Sequence, residues 1–192
     1  MPAVCGLILA GGRGTRMAHQ DKGLVLLKGR PLIRHVIDRV EPQVNRLLIN
    51  SNRHSQTYQQ FGYPLIEDAI RDFRGPLRGI LSARPSVGDD YCFVVPCDMP
   101  YVPRNVVQQL QFALADHDAA YVVAERQIQP LVLLLKPSVI PQIDAYLTAG
   151  GRSVQGWLRT LNTIAVSFDH AENFNNINNS DQLAAAADLP LD

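Results

Sequence analysis

Short apolar runs rich in Val, Ile and Leu recur along the chain at residues 4–9, 46–50, 63–66, 91–95, 120–124, 131–135 and 163–168. Runs of this length and composition read as strands buried on both faces. Between them, residues 32–40, 76–83, 104–115, 138–149 and 154–160 space their apolar side chains three or four apart, the period of an amphipathic helix. Ser180 followed by 182–187 reads as a capped C-terminal helix. Pro31, Pro76 and Pro103 stand where first helical turns would begin, a place proline tolerates because the N–H it lacks has no intrahelical partner there. Alternating strands and helices predict an α/β domain with a mainly parallel sheet. The runs 120–124 and 131–135 lie too close together for a crossover helix, so one antiparallel element is expected. No Gly, Ser or Pro linker and no repeat divides the chain, which predicts a single domain over 1–192.

Charge narrows the partners. Lys+Arg and Asp+Glu both number 18, so any cationic site must be assembled locally. Neither nucleic acid nor an anionic membrane is an expected partner of so balanced a chain. Cys5, Cys92 and Cys97 sit in or beside apolar runs without metal-ligand spacing, which predicts reduced, mostly buried thiols. The apolar N-terminal stretch is too short to span a membrane and lacks a preceding basic region and a cleavage site, so the expected location is cytoplasmic.

In open α/β sheets ligands bind outside the carboxyl ends of the strands. The residues there are Ala10-Gly11-Gly12-Arg13-Gly14-Thr15-Arg16, Asn50-Ser51-Asn52-Arg53, Glu67-Asp68 and Pro96-Cys97-Asp98-Met99-Pro100. The glycines let backbone N–H groups approach phosphate oxygens, and Arg13 and Arg16 add planar, charge-assisted contacts. The segment is neither a dinucleotide fingerprint nor a Walker loop. Lys22, in Asp21-Lys22-Gly23, supplies a compact positive charge for a triphosphate. Asp98, between Pro96 and Pro100, is the leading magnesium ligand, because magnesium needs only one or two carboxylates beside substrate phosphates and water. Asp68 suits a metal, a ligand hydroxyl, a base edge or a helix start. Asn50 and Asn52 offer donors and acceptors to a base or ribose. Asn176 and Asn178, in a run of four asparagines around Ile177, fit either a metal or acceptor-phosphate site or a turn capping the last helix.

No nucleophile motif is present, and the five histidines are scattered, with His54 in Asn52-Arg53-His54 the least ordinary. Transfer to an anionic phosphate acceptor needs no protein nucleophile; positioning, magnesium and cationic side chains suffice.

In order and spacing, these segments resemble the molybdenum cofactor guanylyltransferase family. The likeness runs from Leu9-Ala10-Gly11-Gly12 through Asp21-Lys22-Gly23-Leu24, Gly29-Arg30-Pro31-Leu32, Asn50-Ser51-Asn52-Arg53-His54 and Ile66-Glu67-Asp68. It continues through Gly75-Pro76-Leu77-Arg78-Gly79, Pro96-Cys97-Asp98-Met99-Pro100-Tyr101, Gly151-Arg152-Ser153-Val154 and Asn176-Ile177-Asn178. The resemblance implies a three-layer α/β/α domain of the nucleotide-diphosphosugar transferase type. It implies transfer of GMP from GTP to molybdopterin or Mo-molybdopterin with Mg2+, releasing pyrophosphate. By the resemblance Leu9, Ala10, Gly11, Gly12, Lys22, Asn50, Asp68 and Asp98 would bind nucleotide and Asp98 would hold the metal; on the chemistry of the residues themselves Arg13 joins the nucleotide contacts, and Asp98, Lys22 and Arg16 are expected to carry catalysis. Gly79, Arg152, Asn176 and Asn178 would line the acceptor side. Molybdopterin-delivering and molybdoenzyme proteins are the implied protein partners. Gly14-Thr15-Arg16-Met17 is also similar to sugar-phosphate nucleotidyltransferases, and the cytidylyltransferase for the same cofactor is a further relative, one that typically carries alanine where this chain has Gly11. A non-catalytic nucleotide-binding module is the remaining alternative, disfavoured by the presence of both Asp98 and Lys22.

Overall fold

The computed structural model describes residues 2–10, 21–70 and 75–190. The strands are β1 (Val4–Leu9), β2 (Leu26–Leu27), β3 (Arg30–Pro31), β4 (Arg46–Asn50), β5 (Leu65–Ile66), β6 (Tyr91–Pro96), β7 (Ala119–Ala124), β8 (Gln127–Leu135) and β9 (Thr163–Phe168). The helices are α1 (Leu32–Val40), α2 (Ser55–Gln59), α3 (Pro76–Val87), α4 (Val106–Leu114), α5 (Gln142–Thr148), α6 (Val154–Leu158) and α7 (Ser180–Ala187). Among the described residues, one sheet runs in the order β5-β4-β1-β6-β8-β7-β9, and β2 and β3 form a separate small hairpin.

Only β8 runs against the others: it pairs antiparallel with β6 and β7, while β1, β4, β5, β6, β7 and β9 share one direction. The closely spaced runs therefore form the expected hairpin, turned by Glu125 and Arg126 at φ of 45° and 69°. The register slips between Tyr121 and Val122, opposite the stretch of β8 that holds Pro130. A proline cannot donate to the ladder, and a bulge is where a sheet tolerates one.

Every residue of β1 is buried, and alternation sends its side chains to two cores. Val4 and Ile8 join α1 and α4, with Phe93, Val95 and Leu134 from neighbouring strands. Cys5, Leu7 and Leu9 face the other side, with Leu77 and Ile80 of α3, Ile143 and Leu147 of α5 and Trp157 of α6. This is the expected three-layer α/β/α arrangement. A third, smaller core joins Leu27, Leu32 and Tyr101 to Ile177 and Ala186, and so ties the C-terminal segment to the strand-end loops. Gly6 keeps the first core closed, since a Cβ there would stand 2.7 Å from Leu47 Cδ1.

Several local expectations need correction. α3 continues to Val87 although Pro85 lies within it. The segment 138–149 divides into a 3-10 turn over Pro137–Val139 and α5, because Pro141 interrupts it. Pro103 lies before α4 rather than in its first turn, and its carbonyl accepts the Val106 N–H. α2 and the β2–β3 hairpin carry too few apolar residues to produce a periodic signal. The cap of α7 is Asn179, whose side chain accepts from the Gln182 N–H at 2.8 Å, and Ser180 is already helical.

Asn179→Ala should cost about 1 kcal/mol of unfolding free energy by removing that cap. Ser180→Ala should stay within about 0.5 kcal/mol, because Ser180 caps nothing. Urea unfolding of the two variants checks the assignment.

Candidate active site

The carboxyl ends of β5, β4, β1 and β6 lie side by side. Ser51 N–H donates to Ile66 O (3.0 Å), Ala10 N–H to Asn50 O (2.8 Å) and Cys97 N–H to Leu9 O (3.1 Å). Leu9 is in register with both Asn50 and Pro96, so the loops leaving three adjacent strands begin at one level. This is the rim the sequence reading required. Leu9 and Ala10 are buried in it; Gly11, Gly12, Arg13 and Arg16 fall outside the described residues.

At one part of the rim Asn50 and Asn52 are both hydrogen-bonded to Asp68, and the Asn52–Asp68 pair, bonded in both directions, closes a small amide ring. Asn50 Nδ2 donates to Asp68 Oδ1 at 3.0 Å and to Ile66 O at 3.1 Å. Asn52 Nδ2 donates to Asp68 Oδ2 at 2.8 Å, and the Asp68 N–H returns to Asn52 Oδ1 at 2.8 Å. Both carboxylate oxygens of Asp68 are thus held by amides, which fixes the side chain without neutralising it. With both bonds made through Nδ2, Asn50 Oδ1 turns toward α3. It lies so close to Gly79 that a Cβ there would stand 2.3 Å from it. Gly79 is therefore a close-approach glycine beneath Asn50.

At the end of β6, Asp98 is buried, with 5% of its surface exposed. Lys22 Nζ donates to Asp98 Oδ2 at 3.2 Å and also to Asn178 Oδ1. Two hard oxygens, one anionic and one from an amide, converge on a single positive charge. The C-terminal segment is held there by the Ile177 N–H, which donates to Asp98 O at 2.9 Å, and by the Asn178 N–H, which donates to Gln182 Oε1 at 2.7 Å. Burial pushes the Asp98 carboxyl above its usual range, and the Lys22 ammonium only partly offsets that. A buried carboxylate in this state gains from any further cation brought to it. Asn176 Oδ1, in the same segment, is buried without a hydrogen-bond partner among the described residues. A buried acceptor without a partner is suited to a donor from a ligand or water.

Lys22 is presented by a 3-10 turn over Lys22–Leu24. Asp21 caps it, accepting from the Gly23 N–H at 3.2 Å and from the Tyr58 hydroxyl at 2.5 Å. Sequence reasoning missed Tyr58, because its helix, α2, is one short turn with no periodic signal. His54 initiates that turn at φ 50°, its carbonyl accepting from Thr57 and Tyr58 N–H, so its unusual quality is conformational.

The acceptor-side candidates do not gather in one place. Asn178 meets Lys22, Asn176 is linked to it through the Asn178 amide, which donates to Asn176 O, and Gly79 lies beneath Asn50. Arg152 is exposed on the loop between α5 and α6, with no described contact to either group. Met99 packs in the first core, and the Tyr101 hydroxyl donates to Ala186 O, which anchors α7. The three cysteines are free and buried, and burial raises the Cys5 thiol to about 11 and Cys97 well above its usual range. Among the described residues, no group of three or more His, Cys, Asp and Glu side chains could hold a metal. No helix there is long and apolar enough to cross a membrane.

Comparison with known proteins places this geometry in a family. Residues 6–164 match the MobA-like NTP transferase domain. The molybdenum cofactor guanylyltransferase of Shewanella loihica is 40% identical over 184 residues, covering 94% of each chain. That of Cupriavidus metallidurans is 39% identical over 187 residues, covering 94% of this chain and 92% of its own. Among solved structures, molybdopterin-guanine dinucleotide biosynthesis protein A from Archaeoglobus fulgidus superposes with a TM-score of 0.77 at 25% identity, covering 95% of this chain and 96% of that one. A nucleotidyl transferase from Methanothermobacter thermautotroptrophicus shares the fold, with a TM-score of 0.78 at 16% identity over 97% of this chain and 96% of its own. The rim, its buried acid and amide ring, and this similarity along nearly the whole length lead to one conclusion: the chain is a nucleotidyltransferase belonging to the molybdenum cofactor guanylyltransferase family.

Proposed function

We propose that the chain, acting as a single nucleotidyltransferase domain over 1–192 in the cytoplasm, transfers GMP from GTP to molybdopterin or Mo-molybdopterin. The acceptor's terminal phosphate oxygen attacks the α-phosphorus, the bond from that phosphorus to the oxygen bridging to the β-phosphate breaks, and pyrophosphate leaves. The observation that carries the reading is the convergence of Asp98 and Asn178 oxygens on the Lys22 charge, at the rim that also carries Asn50 and Asp68.

The donors fit magnesium. Hard oxygens suit it, one carboxylate is enough when phosphates complete the shell, and the ammonium already marks a point where positive charge is stabilised. Asp98 would hold the ion, with Asn178 as its neighbouring oxygen donor. Bound there, Mg2+ supplies charge neutralisation for the triphosphate and the departing pyrophosphate. Lys22 provides a second positive charge at the same place. Arg13 and Arg16, from the glycine-rich segment, belong to the proposed triphosphate contacts with Leu9, Ala10, Gly11 and Gly12. Asn50 and Asp68 are proposed to hold the nucleoside, their orientation fixed in advance by the amide ring, which lowers the ordering cost of binding. Gly79, Arg152, Asn176 and Asn178 are assigned to the acceptor side, with Asn176 Oδ1 free to accept a hydrogen bond. Proteins that deliver molybdopterin and molybdoenzymes that receive the product complete the proposed partners.

The direct test is pyrophosphate release from GTP with a molybdopterin-bearing acceptor. Release should stop with EDTA, return with Mg2+, and be far slower with CTP; equal rates with CTP would overturn the guanine assignment. Asp98→Asn should lower turnover by about 100-fold or more. The variant should still melt no lower than the parent at pH 7.5. A carboxyl whose folded pKa is raised stabilises most below its unfolded value, and that contribution is lost as pH rises through the folded one, so at neutral pH the charged Asp98 is a liability that asparagine removes. Gly79→Ala should displace the Asn50 amide and weaken GTP binding by about tenfold, or about 1.4 kcal/mol, with the fold retained. Isothermal titration with GTP and Mg2+ measures this.

A further inference from the structure

Tyr58 is completely buried, packed within the first core among apolar side chains. Packing alone would be served by phenylalanine, since a buried hydroxyl costs free energy unless it is hydrogen-bonded. The Tyr58 hydroxyl has a partner of an unusual kind. It donates at 2.5 Å to Asp21 Oδ1, and the same oxygen accepts the Gly23 N–H at 3.2 Å. The turn is closed by the Leu24 N–H donating to Asp21 O at 3.0 Å and the Val25 N–H donating to Lys22 O at 3.2 Å. Lys22 lies between Asp21 and Gly23, the two ends of the capping bond, and its ammonium is the group that meets Asp98 and Asn178.

Gly23 closes the packing. A Cβ there would stand 2.5 Å from the Tyr58 hydroxyl oxygen and 3.3 Å from Cys97 Sγ. The turn is therefore seated against α2 on one side and, on the other, against the residue preceding Asp98. Tyr58 itself follows the loop that begins at Asn50. One hydroxyl thus connects the amide-ring part of the rim to the cation-binding part. The acid it contacts is itself driven above the usual carboxylate range by burial. Tyr58 is sealed from solvent and Asp21 is half-buried.

We propose that Tyr58 is a positioning residue for Lys22, acting through the Asp21 carboxylate that caps the Lys22–Leu24 turn. The proposal rests on Lys22 serving the nucleotide site. Tyr58 touches neither substrate nor metal; it sets where the ammonium is held.

The test is a double-mutant cycle read as GTP affinity in the presence of Mg2+. Tyr58→Phe should raise Kd about five- to tenfold in the Lys22 protein and less than about twofold in the Lys22→Met protein, the non-additivity expected when one residue acts through another. Equal fold-losses in both backgrounds, or no loss in either, overturn the proposal. Asp21→Ala should reproduce Tyr58→Phe, whereas Asp21→Asn, which keeps an oxygen acceptor for both donors, should stay within about twofold of the parent. Asp21→Asn as weak as Asp21→Ala also overturns it. A nucleotide-free reading separates this from the proposed reaction: acylation of Lys22 by a soluble N-hydroxysuccinimide ester, followed by mass spectrometry. The rate should change about threefold or more in Tyr58→Phe and Asp21→Ala and remain at the parental value in Asp21→Asn. Identical rates in all the proteins overturn the positioning role. Altered rates in proteins that bind no GTP would uphold it while removing the nucleotide assignment.

Discussion

Three backbone hydrogen bonds, from Ser51 to Ile66, Ala10 to Asn50 and Cys97 to Leu9, hold the ends of four parallel strands at one level. The rest of the site depends on that constraint. Side chains leaving those strands can meet only because the ladder keeps their starting points a strand spacing apart. The buried strands supply the rigidity: with β1 covered on both faces, the rim cannot shift without opening two apolar cores. A network of amides and carboxylates at the edge of such a platform is held more accurately than one built on loops alone.

The site carries its electrostatic cost at Asp98. A carboxylate buried at a strand end is unfavourable for folding, and the ammonium of Lys22 offsets only part of the lost hydration. Asp21 repeats part of the pattern one residue from Lys22, half-buried and supplied with donors. Two incompletely compensated acids on one rim are difficult to explain as stabilising features. One meets the Lys22 ammonium and the other holds the turn that presents it. By contrast Asp68, tied by two amides, is fixed in place before any ligand arrives.

Much of this could be read from the sequence, for identifiable reasons. The apolar runs of β1, β4 and β6 are nearly continuous, so the strands, their burial and the residues that follow them were all evident. The β7–β8 hairpin followed from a connection too short for a helix. The local errors occurred where the signal was short or conformational. A five-residue helix such as α2 has no period to detect, and a buried tyrosine looks like any core aromatic until its hydroxyl finds Asp21. The cap of α7 was displaced by one residue because Asn179 and Ser180 are both good capping residues, and only the backbone angles decide between them. Asn178 was legible as a candidate, but its meeting with Lys22 spans 156 positions, which no local pattern conveys.

That separation has a consequence for how the molecule comes into being. Lys22 meets a partner 76 positions away in Asp98 and one 156 positions away in Asn178, so the three groups can assemble only after nearly the whole polypeptide has left the ribosome and folded. A chain whose C-terminal segment has not folded carries the lysine and the acid, yet it lacks the tail's amide oxygen and the backbone tie from Ile177 that sets it in place. The cluster around the Lys22 ammonium is thereby complete only in molecules whose C-terminal segment has folded back onto the sheet edge.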